Sequence, residues 1–134
     1  MSAIYSFTVH TESHSQMIDI TPHVRKAISE SNIKSGIAII FSSHTTAGIT
    51  INENADPDVK RDLLYALEKA VPWENGYHHS EGNSAAHLKS SIIGCSATVI
   101  VNNNAPVLGT WQGIYFCEFD GPRTRTVFVK VIEG

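Results

Sequence analysis

The stretch Gly36-Ile37-Ala38-Ile39-Ile40-Phe41-Ser42, followed beyond Ser43-His44-Thr45-Thr46-Ala47 by Gly48-Ile49-Thr50-Ile51-Asn52, decides the fold. Its first run is apolar on both faces and too short for a buried helix, which predicts a central strand; the second run predicts another. Working outward toward the C-terminus, Asp56-Pro57 places a cap before a proline at the first helical position. Val59, Leu63, Leu64, Leu67 and Ala70 then make one apolar stripe that Pro72 ends, predicting a helix over 57–70. Upstream, Thr21-Pro22 repeats the cap-then-proline device, and Val24, Ala27 and Ile28 hold helical spacing until Ser35-Gly36, predicting a helix over 22–33. Residues 3–12 and 17–20 read as two strands joined in a hairpin. Asn83 is placed to cap a third, short helix over 84–91 that Gly94 closes. Strands are predicted over 96–101, 113–119 and 124–132, with Gly121-Pro122 turning a final hairpin. No repeat or linker interrupts the 134 residues, so the expectation is a single α+β domain over 1–134, with a β-rich core of about eight strands and three helices.

Composition narrows the function classes. With 42% hydrophobic and 17% charged residues, 9 Gly and 5 Pro, the chain is neither disordered, collagenous nor coiled-coil. Its net charge of -3, and basic runs no longer than Arg25-Lys26 and Lys60-Arg61, argue against nucleic acid or an anionic membrane as partner. The longest apolar run, Ile37 to Phe41, is far short of a membrane span, and Met1 to Val9 lacks the plan of a signal peptide, so a cytoplasmic location is expected. Cys95 and Cys117 both fall in apolar strand-like stretches and read as buried small hydrophobes. Histidine is the oddity, with seven residues at 10, 14, 23, 44, 78, 79 and 87.

Four connections carry more His, Thr, Asn, Glu and Asp than strand ends and helix starts need, and such loops are where sites are built. Ser43 to Gly48 leaves the central strand; a turn whose hydroxyls bond their own backbone also accounts for it. In Asn52 to Asp56 the aspartate reads as a helix cap, whereas Glu53 has no such duty. His79 lies just before the short helix and His87 about one turn into it, so two imidazoles converge from a loop and a helix face in a manner open to metal ligation. Glu118 and Asp120 share one strand face by period two, and an exposed ion pair with Arg123 is the plain alternative to a site. If these segments meet, they gather His44, His79 and His87 with Glu53, Glu118 or Asp120, and offer Arg123, Lys89, Thr45 and Thr46 to an anion. Imidazole and carboxylate suit zinc first and manganese or magnesium next. The helix start at Asn83 adds free N–H groups and a positive dipole end, a seat for phosphate.

The strings His44-Thr45-Thr46-Ala47-Gly48-Ile49, Asn52-Glu53-Asn54-Ala55-Asp56-Pro57, His79-x-Glu81-Gly82-Asn83 with Ala86-His87-Leu88-Lys89-Ser90, and Leu108-Gly109-Thr110-Trp111-Gln112-Gly113-Ile114-Tyr115 with Glu118-x-Asp120-Gly121-Pro122-Arg123 resemble the YjbQ-like family of small proteins. The likeness runs over nearly the whole chain. It implies a compact α+β homotrimer whose polar segments gather near a subunit boundary. It also implies a secondary thiamine-phosphate synthase activity, in which the thiazole nitrogen of a phosphorylated thiazole displaces diphosphate from hydroxymethylpyrimidine diphosphate. The partner would then be a small phosphorylated metabolite, with no organic cofactor and with zinc, or else magnesium or manganese, as a divalent metal. On this basis His44, Glu53, His79, His87, Glu118 and Asp120 are the catalytic candidates, and Thr45, Thr46, Asn83, Lys89 and Arg123 the anion-binding ones. His44, His79 and His87 would hold the metal, while Trp111 and Tyr77 offer platforms for flat rings. A metal-dependent phosphoester hydrolase and a non-catalytic module binding metal or anion are the competing expectations.

Overall fold

The structure is a computed structural model that describes residues 2–134. In chain order its elements are β1 (Ser2–His10), β2 (Gln16–Asp19), α1 (Thr21–Ser31), β3 (Ser35–Ser42), β4 (Ala47–Glu53), α2 (Pro57–Ala70), α3 (Ser84–Ile93), β5 (Ser96–Asn102), β6 (Ala105–Pro106), β7 (Gln112–Glu118) and β8 (Thr124–Glu133). The strands form a five-stranded sheet in the order β1-β8-β3-β5-β6 and a three-stranded sheet in the order β2-β7-β4. Every pairing is antiparallel. The α+β class, eight strands and three helices match the expectation from the sequence.

Alternation along the strands builds the core. In β8, Val127, Val129 and Val131 are fully buried while Phe128 stands on the opposite face, as period two requires. Those valines join Ala38, Ile40, Val99 and Val101 of the large sheet, Ile49, Ile114 and Phe116 of the small one, and Val24, Ala27 and Ile28 of α1. The outer face of the large sheet keeps Ile4, Ile37, Phe41, Ile100 and Phe128 exposed. The register sets Phe41 opposite Phe128 and Ile37 opposite both Ile100 and Ile132, so these side chains form one apolar patch. A second cluster of Met17, Ala86, Tyr115, Cys117 and Phe119 lies on the far side of the small sheet, where Leu63, Leu64 and Leu67 of α2 cover it only partly. There α3 is tied to β4 by the Ser90 hydroxyl, which donates to the Ala47 carbonyl at 2.7 Å.

Five local expectations need correcting. Strands β1 and β2 are not a hairpin, because β1 pairs with β8 and β2 with β7, in different sheets. Gly121-Pro122 likewise turns no hairpin; it carries the chain from β7 in the small sheet to β8 in the large one. A Cβ on Gly121 would stand 2.4 Å from the Ser13 carbonyl oxygen, which is why no side chain is tolerated at this crossing. Helix α1 begins at Thr21, whose N–H is accepted by Asp19 Oδ1 at 2.9 Å; the Thr21 hydroxyl instead accepts the Ile114 N–H at 2.8 Å. Asn83 occupies the cap position of α3 without a capping bond from its side chain. Cys95 is exposed, because it sits between the Gly94 that ends α3 and the first residue of β5, whereas Cys117 is buried and its thiol is pushed up to about 12 by desolvation. The cap of α2 is as expected, with Asp56 accepting the Asp58 N–H.

Candidate functional site

Strands β4 and β7 pair Ala47 with Glu118 at one end and Glu53 with Gln112 at the other. The two ends are six residue steps apart along β4, about 20 Å at the usual rise. Two groups of predicted site residues therefore lie apart on the same pair of strands.

At the first end the polar groups are built inward. Glu118 is fully buried and Arg125 nearly so. The carboxylate accepts from Arg125 Nε at 2.8 Å and from Arg125 Nη2, from the Thr11 hydroxyl at 2.8 Å, and from the Asp120 N–H at 3.0 Å. Burial pushes the Glu118 carboxyl up, but the Arg125 guanidinium, the Asp120 N–H and the Thr11 hydroxyl outweigh it and hold the group below its usual range. Arg125 Nη2 also reaches Thr46 Oγ1 at 2.9 Å, so the pair locks the loop after β3 onto β7 and β8. Glu118 is thus fully engaged inside the protein and Thr46 is buried with its hydroxyl oxygen on Arg125; they position the loop, while Thr45 beside them is exposed.

His44 is turned to the same purpose. Its Nε2 accepts the Thr126 N–H at 2.8 Å, and burial, then the nearby Arg125 charge, depress its pKa. A neutral ring with Nε2 on a backbone N–H is the consequence.

From this buried base a chain of contacts leads outward to α3. Asp120 Oδ2 accepts from Arg123 Nη2 and from Asn83 Nδ2, each at 2.9 Å. Arg123 Nε closes on the Asp120 carbonyl at 2.8 Å, leaving about half of the arginine side chain exposed. Asn83 is buried at the N-cap of α3, and its Oδ1 has no hydrogen-bond partner. One turn on, the His87 ring meets His79 edge to face with centroids 5.2 Å apart, and His79 Nε2 lies 3.9 Å from Glu81 Oε1. Tyr77, His78, His79, Ser84, His87 and Leu88 line an open groove of about 480 Å³, and the Tyr77 hydroxyl is anchored on the Pro72 carbonyl at 2.8 Å.

Several predicted members do not join this groove. Glu53 and Trp111 sit at the other end of the strands, where the Glu53 carbonyl accepts the Tyr115 hydroxyl and the Trp111 carbonyl accepts the Asn54 N–H. The Lys89 ammonium is buried against Glu68 of α2 and so faces a carboxylate of the protein rather than an anion. That contact is the first cause holding the Glu68 carboxyl below its usual range. The three-histidine metal centre is not assembled either: His79 and His87 come together, but His44 Nε2 is bonded to the backbone. Among the described residues no three His, Cys, Asp or Glu gather as a metal ion needs. Two imidazoles fall short of the three protein ligands of a catalytic zinc, so the donor set does not fit the metal.

Arg125 and Glu68 went unnoticed in the sequence. Arg125 occupies the inward phase of Val127, Val129 and Val131, and an arginine at an inward position signals a buried carboxylate partner. Glu68 follows Leu64 by four residues, at the edge of the apolar stripe of α2.

Fold and site together define a small two-sheet α+β protein with a histidine-lined groove at a helix N-terminus. Residues 5–134 match the model of the family described as UPF0047 protein YjbQ-like. The chain is 57% identical to the UPF0047 protein YugU of Bacillus subtilis, over 92% of this chain and 95% of that one. It is 53% identical to a UPF0047 protein of Methanocaldococcus jannaschii, over 96% and 94%. Among solved structures, a YjbQ/UPF0047 protein of Clostridium acetobutylicum superposes with a TM-score of 0.94 at 55% identity, covering 96% of this chain and 99% of that one. A YbjQ-like protein of unknown function from Sulfolobus solfataricus gives 0.96 at 30% identity, covering 100% and 99%. The chain belongs to the UPF0047 YjbQ-like family. No helix among the described residues is long and apolar enough to cross a membrane.

Proposed function

We propose that this chain acts on a small phosphorylated metabolite, with its phosphate or diphosphate at the start of α3 beside His79 and His87. The observation that carries this reading is the edge-to-face pair of imidazoles at the first turn of a ten-residue helix, inside a groove large enough for a metabolite. Helix N-termini favour anions through unpaired N–H groups and the dipole. The half-exposed Arg123 guanidinium is ion-paired with Asp120, which also holds Asn83, and it offers its remaining N–H groups as donors near the same helix start. Tyr77 lies along the groove as a surface for a flat ring.

The reaction we assign to this groove, following the resemblance to the YjbQ-like family, is the thiamine-phosphate synthase condensation. The thiazole nitrogen forms a bond to the pyrimidine methylene while the methylene–oxygen bond breaks, and diphosphate leaves with the electron pair. No strong base is needed. The protein's work is to hold the two rings in line and to neutralise the leaving group, and positioning alone supplies about 7–11 kcal/mol in favourable cases. Incubating the protein with the two phosphorylated precursors yields thiamine phosphate under this proposal. Diphosphate or phosphate release without thiamine phosphate identifies a hydrolase instead, and saturable diphosphate binding without turnover identifies a binding module. Repeating the assay with and without added zinc, magnesium or manganese decides whether a divalent ion takes part.

Self-association into a homotrimer belongs to the same proposal. It is supported by the exposed Ile4, Ile37, Phe41, Ile100 and Phe128 on one sheet face, since apolar patches of this kind mark association surfaces. Light scattering in solution tests it, with three chain masses as the expected value.

A further inference from the structure

The second end of the β4–β7 pair holds a separate cleft of about 550 Å³ beneath the first turn of α1. It is lined by residues of two motifs that the histidine groove leaves unused, Asn52 to Asp56 and Leu108 to Gly113. Its polar side chains are exposed, yet they are held as a core would hold them. Gln112 Oε1 accepts the Gly109 N–H at 2.8 Å, and Asn54 Nδ2 donates to Asp19 Oδ2 at 3.4 Å. A Cβ on Gly113 would fall 2.8 Å from Asn54 Nδ2, so glycine at 113 is what lets Asn54 lie there.

Each amide therefore has one end spent on the protein and the other unused. Gln112 retains its Nε2 donors, and Asn54 retains its Oδ1 acceptor. Arg25 lines the same cleft and forms no ion pair among the described residues, and Asp19, also on the lining, has its charge offset only by the Thr21 N–H and the Asn54 amide. The lining thus offers a cation and N–H donors together with a carboxylate and a carbonyl oxygen that do not pair with that cation. A simple anion would meet Asp19, and a simple cation would meet Arg25. The geometry points to a small zwitterion of the α-amino-acid type, its carboxylate on Arg25 and Gln112 and its ammonium on Asp19 and Asn54.

Three matched probes test this assignment: L-leucine, 4-methylpentanoate, which lacks the ammonium, and 3-methylbutylamine, which lacks the carboxylate. Binding is read from the Gln112 side-chain amide resonances and from the indole resonance of Trp111, which adjoins Thr110 and Gln112 in the chain. Under the proposal L-leucine saturates at millimolar concentration, and each half-ligand binds about tenfold more weakly or worse. Arg25→Ala lowers the affinity for L-leucine by a similar factor and leaves the amine unaffected; Asn54→Ala weakens L-leucine and leaves 4-methylpentanoate unaffected. His87→Ala, in the other groove, binds L-leucine as the wild type does. The assignment is overturned if 4-methylpentanoate binds as tightly as L-leucine, if Arg25→Ala binds L-leucine unchanged, or if none of the three probes binds.

Discussion

At the Ala47–Glu118 end of the β4–β7 pair the charged groups are buried and bonded to one another, whereas at the Glu53–Gln112 end they stand in solvent with half of each amide unused. The difference separates two meanings of a polar residue at a strand end. Buried charges must be satisfied by the protein itself, because an unpaired ion in a low-dielectric interior is costly. Such residues organise a site from beneath and have nothing left for a ligand. The residues proposed to meet ligands are ones the fold holds in place without exhausting them: His79, His87 and Arg123 near the start of α3, and Arg25, Asn54 and Gln112 at the opposite end.

The strongest way to break this contrast is to remove one member of the buried pair. Arg125→Met leaves the Glu118 carboxylate enclosed without its partner and frees Thr46, and a loss of about 3–5 kcal/mol in urea unfolding is expected. Replacing both groups, with Glu118→Leu added, recovers much of that loss, because two apolar side chains need no counter-charge. A double variant as unstable as the single one means that the loop, and not the charge, accounts for the cost.

His87→Ala tests the other half of the comparison. Its ring lies at the groove and carries no hydrogen bond to another described residue, so the proposed synthase activity should drop by about a hundredfold or more at nearly unchanged thermal stability. Trp111→Ala, at the far end, should leave the same activity close to wild type. Equal losses in the two variants would mean that both ends serve one reaction.

The Lys89–Glu68 pair gives a smaller and asymmetric effect, because its two members differ in exposure: the lysine is 2% exposed and the glutamate 51%. Glu68→Gln leaves a buried ammonium with a neutral partner, costing about 1–3 kcal/mol. Lys89→Met keeps the buried volume and lets Glu68 hydrate, costing less than about 1.5 kcal/mol. Denaturation of the two variants checks the order, which reverses if the exposed carboxylate is the member that depends on the pair.

Much of this architecture was legible from the chain alone, and the parts that were not share a cause. The runs Gly36 to Ser42 and Thr124 to Ile132 announce strands because side-chain period depends only on local geometry. Which strand pairs with which depends on long-range contacts, so the hairpins expected between β1 and β2 and between β7 and β8 do not exist, and β1 pairs with β8 and β2 with β7 instead. The two-residue strand β6 went unseen, although Asn103 and Asn104, both at positive φ, carry the signal of a tight hairpin turn. At the site, residue type identified the polar segments but not their direction. His79 and His87 meet as their spacing suggested, while Glu118, Lys89 and His44 share the chemistry of ligands and are consumed by Arg125, Glu68 and a backbone N–H. Period two would have exposed Arg125, since an inward arginine among valines needs a buried acid.

The smallest effect expected is a pH slope set by His44. Burial, then the Arg125 charge, depresses its folded pKa below the ordinary value of 6.5. Between the two values the unfolded chain binds a proton that the folded chain refuses, so stability from this group is present above 6.5 and is lost as pH falls toward the folded pKa. The carboxyl of Glu118, also depressed, adds its own loss only in the acid range, as pH falls below the ordinary carboxylate value. The two contributions therefore occupy different windows. His44→Asn, whose amide oxygen can still accept the Thr126 N–H, should flatten the unfolding free energy between neutrality and mildly acid pH while leaving the steeper acid limb in place. A wild-type curve already flat across that upper window would mean that the ring gains its proton as readily in the fold as in water, and the bond from Thr126 would then have to be relinquished without cost.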